Sequence, residues 1–183
     1  MKRMGVLITV ICVCLSFFGC KTEQKVDFPA DDAILLGSAS AEKKVLVAFS
    51  PRCSLCQKLR PEMDKVVEMR PDIAFYMFLY PYRGAEDYRI CNLALCAGSS
   101  EESLRILKDS EGWDYYSIPI ADCGTERVER HLALLREKYG FPGTPIMILP
   151  SGKHASGAWK ADVLIALIDG KAKQSGNRVY YSQ

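Results

Sequence analysis

Two of the eight cysteines in this 183-residue chain stand at a spacing that suits chemistry: Cys53-Ser54-Leu55-Cys56. Cysteines three apart share a helical face and can close a small disulfide. The preceding run, Val45-Leu46-Val47-Ala48-Phe49, is apolar and β-prone, as expected of a strand buried on both faces. Ser50-Pro51-Arg52 breaks it. Cys56 to Met69 then reads as a helix with Leu59, Met63, Val66 and Val67 on one side. The pair therefore falls where a strand ends and a helix begins. Unpaired backbone N–H groups and the helix dipole favour an anion there. A thiolate at Cys53 is stabilised, so its pKa is expected below that of a free cysteine. Arg52 and Lys58 add positive charge nearby. Cys53, nearer the helix start, is the expected attacking sulfur. Cys56, one turn in and more shielded, is expected to resolve the mixed disulfide.

Other uses of such a pair are weaker. Half a zinc site needs a second close pair or suitable histidines. Cys91 and Cys96 have the wrong spacing, and His131 and His154 are isolated. A purely structural bridge across four residues closes almost no loop and stabilises little. A rival of another class is a lipid-anchored binding module that handles a soft metal such as Cu(I) through both thiolates.

A second signal is Thr144-Pro145, just before the apolar run Ile146-Met147-Ile148-Leu149. Proline cannot donate into a ladder, so it belongs at a strand's edge or first residue. A cis bond here turns the chain sharply and brings the loop against the Cys53 helix, and cis is the expectation.

The elements that must position these residues follow from pattern. Ile73 to Tyr80 is a second apolar strand, so strand, helix and strand form a right-handed parallel βαβ unit. A helical section follows over about 84–140. Ile90, Leu93, Ala94 and Ala97 recur at helical spacing. Ser99 with Glu102 makes a capping box. Thr125 is the expected cap of a third helix carrying Val128, Leu132, Leu135 and Tyr139, stopped by Gly140. A turn at Ser151-Gly152-Lys153 leads to a short strand near 154–157, and Asp162 to Asp169 is a last helix. Residues 20–44 read as a tether with room for a short edge strand, and 171–183 as a polar, frayed tail.

The N-terminus has another character. Lys2 and Arg3 precede an almost unbroken apolar run, Val6 to Phe18, closed by Gly19 and Cys20. That is the layout of a secretory signal over residues 1–19, too short for a membrane span. A small residue before a cysteine suggests a bacterial lipoprotein site with Cys20 lipidated; an uncleaved anchor helix is the alternative, and both export the domain. Without residues 1–19, 22 basic residues balance 22 acidic ones. No basic block is present to collect phosphates, so nucleic acid is not an expected partner. Five cysteines remain in the domain, and disulfides are allowed in oxidising surroundings. Five is odd, so at least one thiol is left over.

Taken together, Cys53-Ser54-Leu55-Cys56 with Gln57-Lys58-Leu59, Tyr80-Pro81-Tyr82-Arg83-Gly84, Cys96, Cys123 and Gly143-Thr144-Pro145 form an ordered set. From about Val45 to Asp169 the chain resembles the catalytic domain of the bacterial periplasmic disulfide isomerases DsbC and DsbG. The resemblance implies a thioredoxin-like α/β fold with a helical insertion between the βαβ unit and the proline strand. It implies Cys53 as nucleophile, Cys56 as resolving thiol, Thr144-Pro145 as the substrate-binding cis-proline loop, and Cys96 with Cys123 as a structural disulfide. It also implies thiol–disulfide exchange on exported proteins in the periplasm, no cofactor, and an upstream membrane redox partner. Three features depart from the family. Its N-terminal dimerisation domain has no counterpart before Val45, so a monomer is expected. Ser54-Leu55 differs from the commoner dipeptides. Thioredoxins bury an acid on the strand before the active site, and Val45–Phe49 holds none.

Overall fold

The computed structural model describes residues 27–109 and 113–181. The signal layout and Cys20 lie outside the described residues. The centre of the fold is β2 (Lys43–Phe49), whose alternate residues feed two cores. Val45, Val47 and Phe49 enter one, and Leu46 and Ala48 the other. β3 (Ile73–Leu79) lies parallel beside it, buried along its whole length, with Lys43 opposite Ile73 and Phe49 opposite Leu79. The crossover between them is α1 (Ser54–Met69), which lays Cys56, Leu59, Met63 and Val66 on the first core. Each such side chain contributes roughly 1.5–3 kcal/mol by leaving water. That face holds the helix despite Pro61, which lacks an N–H to donate. The helix starts two residues before the expected Cys56, because Ser54 and Leu55 are exposed and carry no apolar period.

On the other side of β2, β4 (Ile146–Ile148) pairs antiparallel, followed by β5 (His154–Ser156). α5 (Ala161–Ile168) packs against α1 on the first core. Glu62 of α1 fixes this contact: its carboxylate accepts the Ala161 N–H at 3.0 Å and pairs with Lys160 at 3.1 Å. An anion at a helix start meets donors that the helix leaves unpaired.

Between β3 and β4 the expected helical insertion comprises α2 (Ala85–Leu95), α3 (Ser100–Asp109) and α4 (Asp122–Leu132), with a π-helical turn, Ala133–Lys138, continuing α4. Ser99 Oγ accepts the Glu102 N–H at 3.2 Å, as the capping pattern requires. Thr125 is not a cap. α4 starts at Asp122 with Ala121 as its cap, four residues earlier than the pattern indicated, and Thr125 returns its hydroxyl to the Ala121 carbonyl. The reason is tertiary: the Asn92 amide of α2 bonds both the N–H and the carbonyl of Ala121, each at 2.9 Å, and so sets the helix start.

The tether expected over 20–44 is part of the fold from Phe28 onward. β1 (Ile34–Leu36) pairs antiparallel with β3, giving the sheet order β1-β3-β2-β4-β5. Ala33, Ile34, Leu36 and Ala41 are buried. Asp32 receives two guanidinium bonds from Arg130 at 2.8 and 2.9 Å, and its carbonyl faces His131 Nε2 at 2.8 Å. β1 is the short edge strand for which the reading left room, and three residues are too few to show a period that would have placed it.

The tail expected to be frayed is a hairpin. β6 (Ala172–Ser175) and β7 (Arg178–Tyr181) pair antiparallel around Gly176-Asn177, with Gly176 at φ +58°. Two-residue hairpin turns need such positive φ, and glycine supplies it.

Candidate active site

Cys53 is the N-cap of α1, and Cys56 is one turn inside it. Both are reduced, and Cys56 is fully buried while Cys53 keeps 4% of its surface. The Thr144-Pro145 bond is cis, as the sequence reading expects. Its loop lies against the pair: Cys53 Sγ is 3.4 Å from the Thr144 carbonyl oxygen. The first turn of α1 thus has the Cys53 sulfur at its cap and the Thr144-Pro145 loop facing it.

The two sulfurs are unlike. The Cys53 thiol is pulled down to about 4, first by a hydrogen bond from Cys56 and then, against its burial, by the backbone N–H groups of Cys56 and Leu55. The Cys56 thiol is pushed far up, first by burial and next by sharing that bond with Cys53; the Ser50 N–H at 3.4 Å opposes the shift weakly. At neutral pH the arrangement is one nucleophilic thiolate with one protonated sulfur behind it. It can form a mixed disulfide at the outer sulfur and close a bond to the inner one.

The charge near Cys53 differs from expectation. Arg52 is engaged by Glu86, the second residue of α2. Arg83, between Tyr82 and α2, is a further cation here: its pKa is raised chiefly by Tyr82, with smaller contributions from Asp87 and Cys53. Leu55 and Tyr82 are exposed. Farther back, Cys96 and Cys123 are bonded and tie the C-cap of α2 to the first turn of α4. Cys91 is a buried free thiol on α2, pushed well above its ordinary pKa by burial first and the Asp87 charge second.

The sequence reading missed Ser50 and Asp87. Both are fully buried, and the Ser50 hydroxyl donates to Asp87 Oδ2 at 2.7 Å. A signal existed: Asp87 shares the stripe of Ile90, Cys91 and Ala94, and an acid on an apolar stripe is unusual. His131, isolated in sequence, is a core residue whose Nδ1 accepts the Leu79 N–H at 2.9 Å. Among the described residues, no group of three or more His, Cys, Asp or Glu side chains is arranged to hold a metal ion.

Known proteins agree with this geometry. The probable thiol:disulfide interchange protein DsbC of Bordetella avium is 24% identical over 131 residues, 72% of this chain; the chain spans 44% of that protein's length. ScsC of Proteus mirabilis superposes with a TM-score of 0.68 at 19% identity, covering 78% of this chain and 73% of that one. A disulfide interchange protein from Neisseria gonorrhoeae does so with a TM-score of 0.59 at 24% identity, covering 78% and 97%. The thioredoxin-like domain family matches residues 31–172, from just before β1 to the start of β6. With the sheet order, the cis-proline loop and the paired cysteines at the head of α1, that match means the chain belongs to the family of thioredoxin-like domains.

Proposed function

We propose that this protein is a thiol–disulfide oxidoreductase of the reductase or isomerase type, acting on exported proteins. The observation that carries the reading is the asymmetry of the pair: an acidic Cys53 at the helix start and a buried, protonated Cys56 behind it. The Cys53 thiolate attacks a substrate disulfide and forms a mixed disulfide. Cys56, or a second substrate thiol, then releases it. The backbone at Thr144-Pro145 faces Cys53, so an extended substrate segment can pair with it in a strand-addition mode that tolerates many sequences. A stabilised thiolate also stabilises the reduced pair and so raises its reduction potential; an upstream membrane reductase donates to such a pair readily, and its supply of electrons is what holds the pair reduced. Structural neighbours such as the periplasmic thioredoxin-like protein of Salmonella enterica support a location in the periplasm, and the N-terminal pattern ending in Gly19-Cys20 supports a lipid tether on Cys20.

The test is reduction of insulin disulfides with dithiothreitol as electron donor. Wild-type protein is expected to accelerate it. Cys53→Ser is expected to abolish the effect, and Cys56→Ser to trap mixed disulfides. Full activity in Cys53→Ser removes the reading.

A further inference from the structure

The reactive thiol stands between two loops. β2 lies between β3, parallel to it, and β4, antiparallel to it. Cys53, just past β2, therefore has the loop before β4 on one side and the loop after β3 on the other. The first carries Thr144-Pro145. The second, Pro81 to Gly84, is fastened to the active-site end of β2. The Tyr80 N–H donates to the Phe49 carbonyl at 2.8 Å, and the Arg83 N–H donates to Asp87, which the Ser50 hydroxyl also bonds. Beside this loop opens a cavity of about 330 Å³ lined by Pro81, Gly84, Ala85, Tyr88, Arg89 and Ile120. Ligand sites run from about 300 to 1,000 Å³, so this one has room for a side chain or two. Two links put it next to the thiol. Arg52, the neighbour of Cys53, pairs with Glu86, the neighbour of Ala85. Arg83, the neighbour of Gly84, lies within reach of the Cys53 charge.

The walls of the cavity are held in place. Ile120 is 51% exposed, and with Pro81, Ala85 and Tyr88 it makes one concave apolar face rather than a scattered side chain. Its own segment is fixed on both sides by α2. The Arg89 guanidinium donates to the Ile118 carbonyl at 2.6 Å, and the Asn92 amide bonds the N–H and the carbonyl of Ala121. The Cys96–Cys123 bridge lies just beyond. The rim is cationic. Glu86 is engaged by Arg52, Asp87 is buried, and Arg89 is spent on Ile118. Arg83 is exposed. It lies over the Tyr82 ring, 5.7 Å from its centre, and bonds the Tyr82 hydroxyl at 3.2 Å, with no carboxylate paired to it among the described residues.

Resting on the reading of Cys53 as the attacking thiolate, we propose that this cavity is a substrate subsite: it takes an aromatic or aliphatic side chain close to the target cysteine, while Arg83 binds an acidic residue beside it. The occupant is a polypeptide, because its backbone pairs at Thr144 on one side of the thiol and crosses Cys53 to reach the cavity on the other. An extended chain advances about 3.3 Å per residue, so the residues read are those within a few positions of the cysteine. Charge complementarity favours the acid. Before attack, Arg83 has the Cys53 thiolate near it. Cys53 sulfur then bonds one substrate sulfur, the other leaves with the electron pair of the broken bond, and Cys53 becomes neutral. A substrate carboxylate takes the place of the lost anion beside Arg83. The subsite thus adds selectivity to a strand pairing that by itself tolerates many sequences.

The experiment uses short peptides with a single cysteine, each disulfide-bonded to nitrothiobenzoate. Attack at the peptide sulfur releases nitrothiobenzoate, the better leaving group, and its absorbance gives the rate. The peptides carry Phe or Ser, and Asp or Lys, next to the cysteine, in both orders. With the reduced protein at neutral pH, Phe peptides are expected to react roughly tenfold faster than Ser peptides, as burial of one aromatic side chain allows. Asp peptides are expected to react roughly threefold faster than Lys peptides, the range of an exposed ion pair, and less so in high salt. Ile120→Ser is expected to abolish the first preference and keep the second; Ile120→Ala serves should that variant not fold. Arg83→Gln is expected to do the reverse, and Arg83→Glu to favour Lys. Each preference is a ratio within one variant, so a change in the reactivity of Cys53 itself cancels. Equal rates for all peptides overturn the proposal, and so do preferences that survive the substitutions. Cys53→Ser separates the two claims. Release that needs Cys53 but shows no preference removes only the subsite, whereas undiminished release by Cys53→Ser removes the oxidoreductase reading and the subsite with it.

Discussion

At the scale of single residues, buried polar groups decide what this fold tolerates. His131 is fully buried between two backbone groups. Nδ1 accepts the Leu79 N–H, so the ring proton sits on Nε2 and is given to the Asp32 carbonyl. Burial lowers its pKa to about 4 from an ordinary 6.5. The unfolded chain therefore binds a proton in this window that the folded chain refuses. Stability from this site is complete above pH 6.5 and is lost as pH falls toward 4. The full shift is worth about 3 kcal/mol. Urea denaturation of the oxidised protein, in which neither Cys53 nor Cys56 titrates, is expected to show the decline between pH 6.5 and 5, before most carboxylates titrate. A His131→Gln variant is expected to show a flat profile there. An equal decline in both would assign the effect elsewhere.

At the scale of elements, α2 and α4 meet where a glycine is required. A Cβ on Gly124 would lie 2.3 Å from the Asn92 carbonyl oxygen and 2.6 Å from its side-chain carbon. Gly124→Ala must therefore push α4 off α2, beside the Cys96–Cys123 bridge. Overpacking of this kind costs typically 1–3 kcal/mol. A clearly lower melting temperature by circular dichroism is expected, and an unchanged one would show that the helices part freely. The legibility of elements from sequence tracks their length and burial. β2 and β3 were plain because each is a long apolar run feeding two cores. β1 was barely marked, with only Ile34 and Leu36 to show it. The β6–β7 hairpin was missed because both strands are short and β6 is polar, although β-prone Val179-Tyr180-Tyr181 and the Gly176-Asn177 turn mark it. The start of α4 was misplaced because Asn92, far off in sequence, fixes it. Within the site, local spacing exposed Cys53, Cys56 and the Thr144-Pro145 loop. Ser50 and Asp87 become visible only when α2 is folded beside the loop after β2.

At the scale of the whole molecule, both edges of the sheet are occupied. The Leu35 N–H on β1 is taken by Ser100 Oγ at 3.0 Å. On β5 the Gln174 side-chain amide bonds the N–H of Ser156 at 2.7 Å and its carbonyl at 2.9 Å. Open edges are the usual template for pairing between chains, and covering them opposes it. We propose that the chain acts as a monomer and is a weak isomerase. Light scattering on a soluble form lacking residues 1–20 is expected to give the mass of a single chain. That form is expected to reduce exposed disulfides well and to refold a scrambled multi-disulfide substrate poorly. A stable dimer with strong isomerase activity would contradict this and would imply an interface on another face of the domain.

The most direct test of the account is the alkylation rate of the reduced native protein as a function of pH, with the modified peptide identified by mass spectrometry. The Cys53 thiol is held down to about 4, while Cys56 and Cys91 are buried and pushed up. A single label on Cys53 is expected, with a rate that reaches half its plateau near pH 4 and stays flat through neutrality. Labelling of Cys56 or Cys91 first, or a Cys53 rate that rises only in the range of an ordinary thiol, about 8.5, would contradict it.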